Sequence, residues 1–217
     1  MAIVLRSTKG SALTYGEVDG NFSTLDTRTG SGWNDLVQDV TVPAGGFNTP
    51  SWTMFRNGIY AWAFASDAMN EVWTNFHIRH DYDITGGAYP GMIYPHVHFA
   101  VNTTSTGTVR WGVEYTCAQR HDDGVPGTSA FGATTTIYFE HVIDVPNQYV
   151  HHVSEATDGD GIAAGTVLGV DALVSCRYFR DGAHVNDTFP DPVFLLTVDA
   201  HYPVNILCTP NRLYPFT

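Results

Sequence analysis

From Trp33 onward, apolar side chains recur at every second residue, and that period commits the chain to half-buried β-strands. Val72, Thr74, Phe76 and Ile78 alternate with Trp73, Asn75, His77 and Arg79. Val97, Phe99 and Val101 alternate with His96, His98 and Ala100. Val109, Trp111, Val113, Tyr115 and Cys117 form a third stripe, and Ile137, Phe139, His141 and Ile143 a fourth. Val170, Ala172, Val174, Cys176 and Tyr178 make a fifth, and Phe194, Leu196 and Val198 alternate with Leu195, Thr197 and Asp199. Each stripe predicts one face turned inward. Turn signals separate the runs at Arg56-Asn-Gly58, Thr85-Gly-Gly87, Ser105-Thr-Gly107, Asp122-Asp-Gly124, Asp158-Gly-Asp-Gly161 and Arg180-Asp-Gly182. Strands of this number and spacing predict an all-β fold, an antiparallel β-sandwich, of which the jelly roll is the commonest eight-stranded form. No repeat, charge block or low-complexity linker divides residues 33–217, which predicts a single β-sandwich domain there.

Residues 1–32 follow another pattern and are expected to form an extended N-terminal arm. Ile3, Val4 and Leu5 suit one short strand, and Ser7 to Ser11 is polar and flexible in character. Thr14-Tyr-Gly-Glu17 has capping-box spacing, and Val18, Phe22 and Leu25 follow at helical intervals. The pattern predicts one short helix, ended by the Thr27–Gly32 stretch and weakened by Gly16 and Gly20. So short a helix is marginal in water by itself, so the arm is expected to need a partner surface.

Composition narrows the classes of partner. The formal net charge is −12, Lys9 is the only lysine, and the nine arginines do not cluster. Nucleic acid requires a basic stripe, so it is not an expected partner, and an anionic membrane is disfavoured for the same reason. No stretch approaches the roughly 20 apolar residues of a membrane span. The run Met-Ala-Ile-Val-Leu-Arg6 is too short for the apolar core of a signal peptide, which places synthesis in a cytosol. Cys117, Cys176 and Cys208 are an odd number at wide spacing in apolar runs, and read as buried free thiols.

The sharpest chemical feature is Tyr94-Pro-His96-Val-His98-Phe. Two histidines at i and i+2 of a strand project from one face, which is a metal-ligand geometry. A third ligand is needed, and Glu114, His77, His141 and His201 are the candidates at strand positions. The segment resembles the cupin pattern, with Gly91 five residues before His96. It departs from that family at Asn102 and Thr103, where a carboxylate belongs, and the second cupin motif is absent around His184 and His201. A histidine pair is half a site, so no cofactor is assigned and His96 and His98 stay minor metal candidates. His77 and His80, three apart, are expected on opposite sides of a straight strand, and His151 and His152 likewise. Asp158, Asp160 and Gly161 lack the remaining positions of a calcium loop and read as a turn. Asn102-Thr-Thr104 and Asn186-Asp-Thr188 match glycosylation acceptors but have no secretory context. No GxSxG, Walker loop or GxGxxG occurs. Glu114 and Glu140 are the strand carboxylates that could pair for glycoside hydrolysis, with surface charge as the default.

The segment Lys9-Gly-Ser-Ala-Leu-Thr-Tyr-Gly-Glu-Val-Asp-Gly-Asn-Phe-Ser-Thr-Leu25 resembles one near the N-termini of tailed-bacteriophage virion proteins. The matching positions are Leu13, Thr14, Glu17, Val18, Asp19, Asn21, Phe22 and Leu25. Trp33-Asn-Asp-Leu36, Tyr94-Pro-His-Val-His98 and Trp111-Gly-Val-Glu-Tyr115 are also similar to phage structural proteins of this size. The resemblance implies a non-enzymatic capsid cement or decoration protein on the virion surface, a homotrimer whose partner is the major capsid protein. It implies docking through Leu13, Thr14, Glu17, Val18, Asn21, Phe22 and Leu25. Trp73 and Tyr94, aromatic residues outside the inward stripe, are expected subunit-contact anchors. Two alternatives stay open: a tail-fibre or adaptor component that binds a receptor or glycan, and a cupin-like metalloenzyme using His96 and His98.

Overall fold

The computed structural model describes residues 4–29, 32–42, 48–84, 91–120, 130–163 and 169–204. The turns at Thr85-Gly-Gly87 and Asp122-Asp-Gly124, together with Ile3 and Cys208, lie outside the described residues. Among the described residues, two helices, α1 (Arg6–Lys9) and α2 (Tyr15–Thr29), precede ten strands. These are β1 (Gly32–Asp35), β2 (Ser51–Arg56), β3 (Ile59–Phe64), β4 (Met69–His77) and β5 (Tyr94–Ala100). They continue as β6 (Gly107–Ala118), β7 (Thr135–Ile143), β8 (His151–Glu155), β9 (Leu173–Asp181) and β10 (Val193–Val204).

The strands form two antiparallel sheets, one with the order β2-β3-β10-β5-β8 and the other β4-β9-β6-β7. Strand β1 adds to the first sheet against the far end of β10. Taken from β3 onward, this is the jelly-roll order: two four-stranded sheets, with the chain crossing between them at most connections. The β-sandwich expected from the stripes is therefore present. Their inward faces meet in one core that includes Phe64, Phe76, Phe99, Trp111, Tyr178 and Val198, all essentially inaccessible to water. Trp111 of one sheet packs at 5.5 Å between centroids against both Phe64 and Phe99 of the other. Ring contacts across the layers, one edge-on and one tilted, join the two sheets.

Local chemistry explains the joints. Strands β2 and β3 form a hairpin whose turn is Asn57-Gly58, both at positive φ (45° and 86°), as a two-residue turn of the right twist requires. Capping at Thr14 is as the spacing predicts: Thr14 N–H donates to Glu17 Oε2 at 2.7 Å, and Glu17 N–H donates to Thr14 Oγ1 at 3.3 Å.

Three expectations are corrected. Val4 and Leu5 are not in a strand; the polar stretch after them makes the single turn α1, closed by Gly10 in the left-handed region. In β10 the inward set is not Phe194, Leu196 and Val198. A bulge between Leu195 and Thr197 shifts the pleat, so Val193 and Leu195 face inward before it, and Val198, Ala200 and Tyr202 after it. Phe194 joins a small cluster with Ala61 and Ala63, and Leu196 is 47% exposed. Finally, Arg180 is not a turn residue but the last inward position of the Val174, Cys176, Tyr178 stripe, fully buried in β9.

Candidate functional site

The outward face of the first sheet gathers ionisable side chains from four strands. Register sets the rows. His96 of β5 lies opposite Asp199 of β10 on one side and Glu155 of β8 on the other. His201 lies opposite Tyr94 and, across β10, opposite Asp35 of β1. The bulge in β10 matters here. Without that one-residue shift, Asp199 and His201 would share the pleat face of Val193 and Leu195 and point into the core.

Within this face, Asp199 is the centre. It is 5% exposed, and its Oδ1 lies 2.6 Å from His96 Nε2 and 3.1 Å from His98 Nε2. The other ring nitrogens of both histidines are engaged elsewhere. His96 Nδ1 lies 3.3 Å from the Tyr94 carbonyl oxygen, and His98 Nδ1 lies 2.7 Å from His151 Nε2. Beside them His201 stacks on His96 at 4.2 Å, with its Nδ1 against Glu155 Oε1 and its Nε2 at 3.0 Å from Asp35 Oδ1.

Environment drives the two central imidazoles apart. Burial works against the charged form of His96, but the adjacent Asp199 carboxylate outweighs it and the pKa is raised. For His98 burial dominates, helped by the neighbouring imidazoles, and the pKa falls despite Asp199. Two imidazoles and a carboxylate with ligand atoms within 4.8 Å of one another are a donor set for a divalent ion, and Asp35, His96 and His201 form a second such group.

Of the third-ligand candidates, only His201 stands beside the pair. Glu114 is in the other sheet and accepts from Arg177 Nε at 2.9 Å. His77 and His80 do not diverge: β4 ends at His77, and the following turn brings both rings to Asp171 Oδ1, at 3.3 and 3.2 Å. His141 pairs with His152 at 3.1 Å between the edge strands β7 and β8. His151 and His152 do point apart, one to His98 and the other to His141. Asp199 escaped the sequence reading because β5 and β10 are joined by register, not by spacing. Glu140 accepts from Arg110 Nη1 at 2.8 Å and from Asn186, so the two strand glutamates are each committed to an arginine. Cys176 is buried and Cys117 half-buried, with burial pushing the Cys117 thiol up to about 11, so neither is a ready nucleophile.

The arm residues divide by task. Asn21 clamps the chain start, accepting from Val4 N–H and donating to the Val4 carbonyl, both at 2.8 Å. Thr14 and Glu17 cap α2, and Lys9 pairs with Glu17. Leu13 and Val18 are half-buried, while Phe22 is 68% exposed. Leu25 belongs to α2, but its side chain lies outside the described residues. Tyr15, which the matched pattern does not include, is 93% exposed. Of the proposed anchors, Tyr94 is buried against Trp33 at 5.6 Å and offers no contact surface, and Trp73 is half-buried.

Among the described residues, no helix is long and apolar enough to cross a membrane. No protein-family model matches the chain, and no curated protein is significantly similar to it.

Proposed function

We propose that the chain is a structural subunit of a tailed-phage virion, of the capsid cement or decoration type, that works by contact rather than by chemistry. The observation that carries this reading is the β2–β3 hairpin. Among the described residues, strand β3 pairs with β10 only through Trp62, Ala63 and Phe64, so no described strand pairs beyond the outer half of the hairpin. The hairpin displays Trp52 in its paired half and Met54, Ile59 and Tyr60 in its outer half, with Ile59 65% exposed. Trp52, Ile59 and Tyr60 line a groove with Leu196 beside β10. Trp52 stacks on Tyr60 at 6.3 Å and meets Trp62 edge-on at 4.8 Å, which makes the patch rigid as well as apolar. Rigid exposed aromatics clustered on one feature are the composition of a protein–protein contact.

The arm supports the same reading. Its hydrogen bonds are spent on its own shape, leaving Tyr15 and Phe22 outward as anchors. Two separated apolar contacts on one chain, repeated in a homotrimer, would multiply weak binding through effective concentration. The partner is then the major capsid protein, met across the seams between its subunits.

Immunogold labelling of purified virions from the phage carrying the chain tests this reading. Label on heads is expected, lost when Trp52→Glu and Ile59→Glu are introduced together. Label confined to tails would overturn the cement assignment in favour of an adaptor or fibre component, and unlabelled virions would overturn the virion assignment.

A further inference from the structure

We propose that His96, His98 and Asp199 form a binding site for a divalent transition-metal ion such as zinc, on the outward face of the jelly roll. This inference does not depend on the virion reading.

The first support is direction. Both Nε2 atoms converge on a single carboxylate oxygen, Asp199 Oδ1, at 2.6 and 3.1 Å. The Nδ1 atoms face a backbone carbonyl and a neighbouring imidazole. A ligating histidine is held in that way, with its far N–H donated to a supporting acceptor so that the near nitrogen presents a lone pair. If His98 Nδ1–H donates to His151, Nε2 is unprotonated and confronts a carboxylate oxygen, which is a repulsive contact unless a cation lies between them.

The second support is unpaid polarity. Asp199 Oδ1 and His98 Nε2 are both buried, and neither completes a hydrogen bond. Buried polar atoms are rarely left so, because each forfeits its hydration. A cation between them satisfies both. The neighbouring group of Asp35, His96 and His201 lacks this property, since His201 already has a carboxylate at each ring nitrogen. That difference selects the Asp199 site.

Two imidazoles and one carboxylate suit zinc and its first-row neighbours rather than magnesium or calcium, which require oxygen ligands. Tetrahedral bonds of about 2.0–2.1 Å set ligand atoms about 3.3 Å apart, so the 2.6 Å contact opens slightly on binding. Three protein ligands leave a coordination position for water or for a group from another molecule. The site faces away from the core that holds Val97 and Phe99, so the ion lies on the sheet's outer surface and not between the sheets.

Zinc titrated calorimetrically into the metal-free full chain is expected to fill one tight site. Asp199→Asn and the pair His96→Ala/His98→Ala should each weaken it at least 100-fold. His151→Gln, which removes only the supporting ring, should weaken it about 10- to 100-fold. His141→Gln/His152→Gln should leave it unchanged. Long-range 1H–15N NMR of the wild-type chain reads the ligating nitrogens without any substitution, and the Nε2 signals of His96 and His98 are expected to move with one equivalent of zinc. Unshifted signals, or shifts confined to other histidines, overturn the proposal, as does wild-type affinity in the folded His96→Ala/His98→Ala variant.

Discussion

Asp187 grips the guanidinium of Arg180 through two parallel hydrogen bonds, Nε to Oδ2 at 2.9 Å and Nη2 to Oδ1 at 2.8 Å, with both side chains fully buried. The remaining Arg180 donors reach the carbonyls of Phe64, Asp191 and Phe189 at 3.1, 2.8 and 2.7 Å. All five guanidinium N–H groups therefore have acceptors. Asp187 Oδ2 also accepts from the Arg110 backbone N–H at 3.0 Å, so the pair ties β6, β9 and the loop before β10 to the end of β3. Removing Asp187 leaves a buried cation without its counter-charge. Asp187→Ala is expected to cost about 3–5 kcal/mol, measured as a fall in the urea midpoint.

Gly112 marks a second tight spot. It lies opposite Phe179 across β6 and β9, and a Cβ there would meet the ring at 2.2 Å. Arg177 covers that ring at 4.6 Å and Tyr138 meets it edge-on at 5.9 Å, so it has little room to retreat. Gly112→Ala should destabilise by about 1–3 kcal/mol through overpacking, read as a lower Tm.

Acid should weaken the edge of the sandwich where β7 meets β8. Burial lowers the pKa of both His141 and His152, with each other and His151 as the ionisable neighbours. The unfolded chain, with ordinary imidazoles near 6.5, then binds more protons than the folded one. Stability from this pair is complete above about pH 6.5 and declines as pH falls toward the lowered folded values. In urea titrations from pH 8 to pH 5, His141→Gln/His152→Gln should show a flatter dependence than the wild type.

Glu17 predicts an acid response confined to the arm. Lys9, then the backbone and hydroxyl of Thr14, hold its pKa down at about 2, against 4.5 unperturbed. Its contribution to the α2 cap is present above about pH 4.5 and is lost as pH falls through about 2. Glu17→Gln should reduce helical Cα chemical shifts in α2 at neutral pH while leaving the Tm of the β body unchanged.

Much of the body was legible because strand pleat has a fixed period. The stripes through Phe76, Phe99, Trp111 and Tyr178 read inward from residue type alone, and all are buried. So did the capping box at Thr14 and Glu17, whose partners are three residues apart. Reading failed where one residue interrupts the period, as at the β10 bulge, which adds a residue that no side-chain pattern announces. It also failed at His77 and His80, where the strand ends between them and the parity argument ceases to apply.

The sequence by itself determined the β period, the turns and the cap, because each depends on residues within a few positions of one another. Tertiary structure alone decided the jelly-roll order and the company kept by His96 and His98. Asp199 reaches them from a strand about a hundred residues away, through a register set by pairing and by a single bulge. The same is true of Arg180, whose inward position is periodic but whose burial is tolerable only because Asp187 and three carbonyls converge on it. A charge or a ligand set is settled by what stands opposite it, and that is fixed only when distant strands meet.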